Sequence, residues 1–406
     1  MKKFLALTLA LVMSLSLVAC GDKKTDDTKT DEPDQKTEHP AENEGAYKVA
    51  MITDYGDITD QSFNQTTYEA CKAFAEDNDI EFNYFKPVGD NTADRVAMIE
   101  KAADEGYNVI VMPGYAFGGA IVEAAPEFPD VKFIALDVAA GDLLETAVAK
   151  AGKTYDYTPD NWDLSEYVDM SNVYCAVYQE ELCGYMAGYA AVKLGYKQLG
   201  FLGGMAVPAV VRYGYGFVQG VNAAATELNI ADQVSVKYVY GNKFAPAPEI
   251  TAVMDTWYKG GTEVVFACGG GIYASAAEAA AKVEGAKVIG VDVDQAGIID
   301  GAYGDGMTVT SAMKGLAPTV KTVLAAISAD KWADFGGKIE TLGLVSDNPD
   351  DNYVQLAGST QFADGFTQDD YKTLVASMFK GDIKVDNSTE KMPEVSVKVE
   401  TFDNIL

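Results

Sequence analysis

The chain has 406 residues and a formal net charge of −30, because it contains 61 acidic and 31 basic residues. A charge of this sign argues against nucleic acid or anionic lipid as a binding partner, and a solvated acidic surface accounts for it. His39 is the only histidine and lies in a polar segment. A Ser-His-Asp triad, a Cys-His pair and a multi-histidine metal site are therefore excluded from the folded part.

The first residues have the pattern of a secretory signal peptide. Lys2 and Lys3 precede a mostly apolar stretch over residues 4–19, which is shorter than the ~20 residues that span a bilayer. Residues 16–20 (SLVAC) look like a bacterial lipobox. We expect residues 1–19 to be removed and Cys20 to carry a lipid (palmitate) anchor at the extracytoplasmic face of the cell membrane. Ordinary cleavage beside an unmodified cysteine is the alternative.

Residues 20–45 are predicted to form a disordered acidic tether behind that anchor. From residue 21 onward they are almost wholly Asp, Glu, Lys, Thr, Pro, Gln and Asn, without a large apolar side chain. Such a segment cannot bury enough surface to offset the entropy lost on ordering.

Strands alternate with helices twice along the body that follows, which is long enough for two domains. This alternation predicts an α/β protein with two doubly wound parallel-sheet lobes and a ligand cleft between them. Residues 138–171 are irregular and acidic, and we expect a surface insertion to which no function is assigned. The predicted strands are 47–53, 80–85, 108–113, 131–137, 172–178, 198–203, 234–240, 263–268 and 287–292. The predicted helices are 63–78, 92–106, one after Gly114, 180–194, 210–229, 246–260 and 272–284.

Polar and glycine-rich loops follow the predicted strands. In parallel sheets these loops border the ligand crevice. A single aspartate after a strand is often only a helix N-cap, but repetition across several strand ends favours a binding site. The loops contain Asp54, Gly56, Asp57, Ser62, Phe63, Asn64, Gly114, Tyr115 and Asp137, and later Gly203, Gly204, Gly269, Gly270, Gly271, Asp292, Asp294 and Gln295.

One of these loops also fits a dinucleotide-binding fingerprint. Residues 269–274 (GGGIYA) follow a strand, and Asp292 ends the next one about twenty residues on. An NAD-linked enzyme is thus an alternative, but the motif lies deep in the second half of a chain expected to be exported, and no histidine can assist hydride transfer. We expect no cofactor and no enzymatic activity, although Asp292 could still bind a ribose.

The four cysteines after Cys20 are Cys71, Cys175, Cys183 and Cys268. They form no C-x-x-C pair, and their neighbours are apolar or small, so we expect buried free thiols rather than metal ligands. One or two disulfides are the alternative in an exported protein.

Taken together, these residues resemble the basic membrane protein family of substrate-binding lipoproteins, which includes bacterial purine-nucleoside receptors. The resemblance covers residues 48–321 and implies a type I periplasmic-binding-protein fold with two lobes joined by a hinge. The matching segments are TDYGDITDQSFNQ (53–65), FIALD (133–137), YQEELCGYMAGYAA (178–191), GFLGGMAVPAVVRYGYGFVQG (200–220), ACGGGIYASAAE (267–278), IGVDVDQ (289–295) and VTSAMK (309–314).

The resemblance implies that a purine base lies between two aromatic rings. Phe63 would stack on one face, and Asn64 would hydrogen-bond the base edge. Asp54 would also read the base or position its loop. The family often has phenylalanine where this chain has Tyr213, so Tyr213 would be the opposing ring, with a hydroxyl that needs a partner. Without the family, core packing would explain both rings.

The sugar would lie on the other side of the same site. Asp137, Asp292 and Lys314 would contact the ribose hydroxyls, although a lone lysine is ordinarily a surface residue. A backbone group of Gly269, Gly270 or Gly271 would approach the ligand closely.

The resemblance also implies several crossings between the lobes. The first lobe would comprise residues 46–178 and about 312–337, and the second residues 179–311 and about 338–406. The expected crossings are near 178–180, 310–312 and 338–345. Beyond residue 321 we expect a helix to about 330, strands at 338–345 and 353–357, a helix at 366–380 and a charged tail.

The leading interpretation is a membrane-anchored receptor that binds a nucleoside, which the family resemblance implies is a purine nucleoside, and delivers it to an ABC permease. Its partners would be a small-molecule ligand, the permease and, through the lipid, the membrane, but no nucleic acid. A receptor of the same fold for a sugar or a signalling molecule is the alternative. The two interpretations differ in whether two aromatic rings face each other in the pocket.

Overall fold

The computed structural model describes residues 47–54 and 56–406, so the predicted signal peptide, Cys20 and the tether lie outside the described residues. The strands in chain order are β1 (Val49–Ile52), β2 (Phe82–Phe85), β3 (Val109–Pro113), β4 (Lys132–Leu136), β5 (Val173–Tyr178), β6 (Gln198–Gly203), β7 (Ser235–Tyr240), β8 (Val264–Cys268), β9 (Lys287–Asp292), β10 (Thr308–Lys314), β11 (Lys338–Leu342), β12 (Val354–Leu356) and β13 (Lys398–Thr401).

Helices connect most of these strands. Within the described residues, none of them is long and apolar enough to cross a membrane. The helices are α1 (Phe63–Asp77), α2 (Thr92–Asp104), α3 (Gly118–Ala124), α4 (Ala140–Lys150), α5 (Glu180–Lys193), α6 (Pro208–Glu227), α7 (Pro248–Lys259), α8 (Tyr273–Ala280), α9 (Ala296–Tyr303), α10 (Leu316–Ser328) and α11 (Gln368–Phe379).

The strands form two sheets, and the predicted α/β fold with parallel sheets is confirmed. The first sheet has the order β11-β5-β4-β3-β1-β2, and the second has the order β12-β10-β9-β8-β6-β7-β13. Among the described strands, neighbours pair in parallel except for β12, which runs antiparallel to β10. We call the part of the chain around the first sheet the first lobe and the part around the second sheet the second lobe.

Burial on both faces explains why the central strands are almost continuously apolar. Every residue of β1 and of β3 is buried. In β1, Ala50 and Ile52 belong to one apolar cluster, and Val49 belongs to a second cluster. In β3, Ile110 belongs to the first of these clusters and Val111 to the second. Successive side chains of a strand point to opposite faces, so each sheet supports two layers of core.

In the described part of the chain, the lobes are joined where β5 leads into α5, where β10 leads into α10 and where β11 leads into β12. These connections lie side by side. The Tyr178 hydroxyl donates a hydrogen bond to Thr319 Oγ1 at 2.9 Å. The backbone N–H of Gly315 donates to the Tyr353 carbonyl at 2.7 Å. Rotation of one lobe against the other therefore has to occur about these linked segments.

The structure corrects one predicted crossing and one predicted lobe boundary. β10 continues to Lys314 within the second sheet, so the chain leaves that lobe after residue 314 and not at 310–312. β11 pairs in parallel with β5, from Lys338 beside Tyr174 to Leu342 beside Tyr178, so residues 338–342 belong to the first sheet and not to the second lobe. A strand pattern does not reveal which sheet the strand will join. The other predicted lobe boundaries stay a prediction.

The segment 138–171 was predicted to be irregular, but it begins with helix α4. Leu143, Leu144, Ala147 and Val148 are buried at helical spacing. The Asp142 carboxylate accepts a hydrogen bond from the backbone N–H of Ala139 at 2.7 Å and thereby caps the helix. The acidic composition of the segment concealed this short apolar stripe.

Glycines bring α5 and α6 into close contact behind the cleft. A Cβ atom at Gly184 would clash with the Tyr213 carbonyl, and one at Gly216 would clash with the backbone of Glu181. Because the two helix backbones approach this closely, residues 180–184 of α5 lie against residues 212–216 of α6.

The four described cysteines, Cys71, Cys175, Cys183 and Cys268, are buried free thiols, as predicted. Cys268 ends β8 and lines the cleft. Burial raises the pKa of its thiol well above the usual value, so it stays protonated and unreactive at neutral pH.

Candidate ligand-binding site

A cavity of about 570 Å³ lies between the carboxyl ends of the two sheets. Its size falls in the range of small-molecule sites. The structure brings together all of the predicted ligand-binding residues in its lining: Asp54, Phe63, Asn64, Asp137, Tyr213, Gly269, Gly270, Gly271, Asp292 and Lys314.

Each lobe places one aspartate at the cavity through an unusual backbone conformation. Asp137 follows β4 with φ of 61°, and Asp292 ends β9 with φ of 64°. Residues other than glycine seldom adopt this left-handed region, and its occurrence often marks a functional position. The turn directs both carboxylates toward the space between the lobes, where each lines the cavity.

Two glycines also occupy corresponding positions in the lobes. Gly114 follows β3 with φ of 127°, and Gly269 follows β8 with φ of 159°. A side chain at Gly269 would meet the backbone of Gly204 and the ring of Phe244. Only glycine combines this backbone angle with so close an approach, which explains its place in the cavity wall.

A buried network of charges forms the floor of the site. The Lys314 ammonium lies 2.6 Å from an Asp137 carboxylate oxygen, 3.4 Å from Glu180 and 3.9 Å from Asp292. The Arg212 guanidinium lies 2.7 Å from the second oxygen of Glu180. The side chain of Glu180 is 0% exposed and that of Lys314 is 3% exposed, so this network is shielded from bulk water.

The network offsets part of the cost of burying its charges, although burial still raises the pKa of Asp137 to about 6 against the opposing effect of Lys314. Burial opposes the Lys314 ammonium, but Asp137, Glu180 and Asp292 hold its pKa above the ordinary value. Burial alone would raise the pKa of Glu180, yet Arg212 and Lys314 bring it below its usual range. Burial raises the pKa of Asp292, and Lys314 opposes this rise. Removal of one member would therefore leave its partners as uncompensated buried charges.

Aromatic rings surround the Lys314 ammonium as well. Its nitrogen lies 4.7 Å from the ring centre of Phe63, 5.4 Å from that of Tyr178 and 5.7 Å from that of Tyr213. These distances fit cation–π contacts. Lys314 thus connects β10 of the second lobe to Phe63, the first residue of α1 in the first lobe.

Tyr213 lies in the cavity lining but is almost fully buried, and its role as the opposing stacking ring stays a prediction. Tyr213 is only 1% exposed, its ring packs edge-on against Phe266, and its hydroxyl donates to the Ala312 carbonyl at 3.4 Å. The hydroxyl therefore has a partner inside the protein. Helical periodicity in α6 could not distinguish a ring at the cavity edge from one in the core.

The sequence reasoning missed a second aromatic residue, Phe244, in the loop 241–246 after β7. Phe244 is partly buried and lines the cavity together with Ala245 and Pro246. Its carbonyl accepts a hydrogen bond from the backbone N–H of Gly271 at 3.0 Å. A loop that follows a parallel strand and carries an aromatic residue was the available signal. Glu180 and Arg212 were missed too, and nothing in their helical sequence context set them apart.

Asp60 organises the beginning of α1. Its carboxylate accepts hydrogen bonds from the backbone N–H groups of Ser62, Asn64 and Gln65 at 2.9–3.0 Å and from Asn64 Nδ2 at 3.1 Å. Asn64 Oδ1 has no hydrogen-bond partner, and neither does Asp137 Oδ1. Both buried oxygens line the cavity, so the site offers acceptors to a ligand that brings donors.

Direct hydrogen bonds also join the lobes across the cleft. The Ser62 hydroxyl donates to Asp292 Oδ2 at 2.6 Å. Gln295 Nε2 donates to the Gln61 carbonyl at 3.1 Å. The N-terminal end of α1 is thus in contact with the second lobe in this conformation.

The profile of the family described as "ABC transporter substrate-binding protein PnrA-like" matches residues 47–376. The chain belongs to this family. The match covers both lobes and ends within α11. A ligand cavity between the carboxyl ends of two parallel sheets is the arrangement expected for a substrate-binding protein of an ABC transporter.

Two relatives illustrate the range of the PnrA-like family. The "ABC transporter nucleoside-binding protein BmpA" of Lactococcus lactis is 25% identical over 312 residues, which are 73% of this chain and 79% of that protein. The "CD4+ T-cell-stimulating antigen" of Listeria innocua is 28% identical and covers 95% of this chain and 98% of its own length.

Solved structures agree with the fold. An ABC transporter solute-binding protein from Aeropyrum pernix matches with a TM-score of 0.61 at 18% identity, over 83% of this chain and 87% of that one. Another ABC transporter solute-binding protein, from Conexibacter woesei, matches with a TM-score of 0.60 at 21% identity, over 84% of this chain and 99% of that one. At these identities the likeness concerns the fold alone.

Proposed function

We propose that this protein is a membrane-anchored extracytoplasmic receptor that binds a purine nucleoside between its lobes, delivers it to an ABC permease and catalyses no reaction. The observation that carries the proposal is the combination of aromatic rings with unpartnered acceptors in one cavity. Phe63 and Phe244 are partly buried and line it from different lobes. Asn64 Oδ1 and Asp137 Oδ1 lack partners. A nucleoside has an aromatic base with N–H donors and a sugar with O–H donors.

The base would lie beside Phe63 and Phe244. Stacking of a base on an aromatic side chain contributes roughly 1–3 kcal/mol, as alanine substitutions in single-strand binders indicate. Asn64 Oδ1 would accept a hydrogen bond from the base edge, because its Nδ2 already donates to Asp60. Asp54, whose carboxylate accepts from the Gly56 backbone at 2.6 Å, would shape that part of the site.

The ribose would lie over the charged floor. An ionised carboxylate only accepts hydrogen bonds, so Asp137 and Asp292 suit a ribose diol. Lys314 would donate to a hydroxyl oxygen. A glycine at 269–271 would let the sugar or base approach the backbone.

The charge of the lining favours a neutral nucleoside over a nucleotide. Among the described residues, the cavity is lined by the carboxylates of Asp54, Asp57, Asp60, Asp137 and Asp292, but only three lysines. A phosphate would add negative charge to a site that is already acidic, and like charges in a partly buried site repel strongly.

The comparisons support parts of this proposal. The family description names a substrate-binding protein of an ABC transporter, which supports a permease partner. The Lactococcus lactis relative is named a nucleoside-binding protein. A relative in Pyrococcus furiosus, 23% identical, is named a lipoprotein, which agrees with an anchor at Cys20.

Isothermal calorimetry on protein refolded to remove bound ligand tests the ligand. We expect adenosine, guanosine or inosine to bind more tightly than the matching free base, and ribose alone to bind weakly. Binding of a sugar in the absence of any nucleoside binding would replace the proposal with a sugar receptor. Redox turnover with NAD and an alcohol would replace it with an enzyme.

A Cys20→Ala variant tests the anchor. We expect it to leave the detergent phase or to accumulate as uncleaved precursor in labelled cells. Unchanged partition into detergent would contradict a lipid at Cys20.

A further inference from the structure

Residues 382–406, which we call the C-terminal strap, follow α11 and lie beyond the residues that the family profile matches. The strap first runs along α6. Gln219 Nε2 donates to the Asp386 carbonyl, and the Asp386 N–H donates to Gln219 Oε1, both at 2.9 Å. Asn222 Oδ1 accepts from the Ser396 N–H at 2.8 Å. Two side chains three residues apart on one helix face thus hold the strap by its backbone.

The strap then adds β13 to the edge of the second sheet. β13 pairs in parallel with β7, from Lys398 beside Ser235 to Thr401 beside Tyr238. Without β13, β7 would expose its backbone groups as an open edge. The strap therefore covers the edge of β7, the strand that is followed by the cavity-lining loop 241–246.

Its last residues reach the loop that carries Phe244. The Ile405 N–H donates to the carbonyl of Tyr240, the last residue of β7, at 3.0 Å. Asn242 Nδ2 donates to the Leu406 carbonyl at 3.1 Å. The Phe402 ring packs against Trp257 with ring centres 5.5 Å apart. The strap is thus bonded immediately before the loop 241–246 and within it.

The loop is held on its other side by the cavity wall. The Asn242 N–H donates to the Gly204 carbonyl at 2.8 Å, and the Phe244 carbonyl accepts from Gly271. Lys243, Ala245 and Pro246 are exposed. An exposed loop of this kind ordinarily opens at low free energy. Ordering such a loop when a ligand binds would reduce affinity.

We propose that the C-terminal strap is a positioning segment that keeps loop 241–246, and with it Phe244, in the ligand-ready conformation. The strap acts from outside the cavity, since it contacts α6, β7, Trp257 of α7 and the outer side of the loop. Its effect on affinity rests on the proposed function, but its effect on the loop does not.

Two variants of the full chain test the strap. Removal of residues 402–406 deletes the bonds to Tyr240 and Asn242. Asn242→Gly deletes only the side-chain bond and suits the backbone, because Asn242 has φ of 58°. Asn229→Gly is the matched control, since Asn229 has φ of 57° and lies at the end of α6.

Hydrogen exchange of the unliganded protein gives the first readout. We expect both test variants to speed amide exchange within residues 241–246 by about tenfold or more, as a loss of roughly 1.4 kcal/mol of local stability implies. The Asn229→Gly control should leave the exchange of these amides unchanged. Unchanged exchange in the truncated protein would overturn the proposal, whether or not the wild type binds a nucleoside.

A double-mutant cycle with Phe244→Ala gives the second readout. Truncation should weaken nucleoside binding by about three- to tenfold in the wild-type background and hardly at all once Phe244 is alanine, because the strap acts through that ring. Equal losses in both backgrounds would show that the strap only supports general stability. If the wild type binds no nucleoside, the proposed function fails, and the exchange experiment alone decides the strap.

Discussion

The two lobes have the same strand order but give the cavity different surfaces. The series β2-β1-β3-β4-β5 of the first sheet corresponds to β7-β6-β8-β9-β10 of the second. The first lobe contributes polar groups such as Asp54, Asp60 and Asn64, whereas the second contributes Val207, Val210, Ala245 and Pro246. The repeated framework thus carries different linings: the first lobe supplies most of the carboxylate and amide groups, and the second lobe supplies most of the apolar side chains besides Asp292 and Lys314.

The aspartates at the ends of corresponding strands, Asp137 and Asp292, also differ between the lobes in their contacts. Asp137 and Asp292 have nearly equal left-handed backbones at the ends of corresponding strands. Asp137 binds Lys314 closely and keeps one oxygen without a partner, whereas Asp292 accepts a hydrogen bond from Ser62 of the opposite lobe. Equivalent positions therefore have different partners: both aspartates contact a group of the opposite lobe, but only Asp137 keeps a buried oxygen without a hydrogen-bond partner.

Removal of the Lys314 charge, which contacts carboxylates of both lobes, should have the largest effect on stability. Lys314→Met leaves Asp137, Glu180 and Asp292 with an uncompensated buried charge, and should lower the free energy of unfolding by about 3–5 kcal/mol. Lys321→Met on the exposed face of α10 is the control. Equal unfolding free energies for the two variants in urea denaturation would contradict a structural role of the network.

A pH experiment compares buried carboxyls behind the two lobes. Burial raises the pKa of Asp142 to about 6 and that of Glu181 to about 7. A carboxyl with a raised pKa binds more protons in the folded state, so stability should fall as pH rises from about 4.5 to 7. Glu181→Gln should remove much of this slope and stabilise the protein by about 2–3 kcal/mol at pH 8, with little effect at pH 4.

The control for that experiment is Glu284→Gln, since Glu284 is exposed. Thermal unfolding at a series of pH values gives the readout. A slope that is identical in the Glu181→Gln variant and the wild type would assign the pH dependence to other groups.

Substitution of Asp292 in the second lobe should affect binding of a nucleoside more than binding of its free base. Asp292→Ala should weaken nucleoside binding by about 10- to 100-fold, since hydrogen bonds to a charged group contribute about 1.5–3 kcal/mol. It should weaken binding of the free base much less. Asp294→Ala, on an exposed residue nearby, is the control. Equal losses for nucleoside and base in calorimetry would mean that Asp292 only joins the lobes through Ser62.

The rings should show the smallest effects and test whether both lobes hold the base. Phe63→Ala and Phe244→Ala should each weaken nucleoside binding by about 1–3 kcal/mol. Tyr213→Phe should change affinity little, because its ring is buried and only its weak bond to Ala312 is lost. Phe379→Ala, on an exposed ring, is the control. A loss in the Phe63→Ala variant without any loss in the Phe244→Ala variant would mean that the second lobe does not hold the base through Phe244.

Much of the fold and of the site lining was predictable because its signals are local. The short apolar runs became β1 to β9, since a strand buried on both faces must be apolar throughout. Asp137 and Asp292 were identifiable as polar residues directly after such runs. What could not be predicted has a common origin: periodicity specifies neither the sheet that β11 joins nor how deeply the Tyr213 ring is buried.

By itself, the sequence determined the alternation of strands and helices and the polar loops at the carboxyl ends of the strands, because these follow from hydrophobic periodicity and turn chemistry. The resemblance to a known family added Tyr213 and Lys314 to the predicted site. Only the tertiary structure decided that Phe244 and not Tyr213 has an accessible ring, that Glu180 and Arg212 complete the charge network, and that the strap reaches loop 241–246. Those features depend on contacts between residues far apart in the chain, and no local pattern encodes which distant groups will meet.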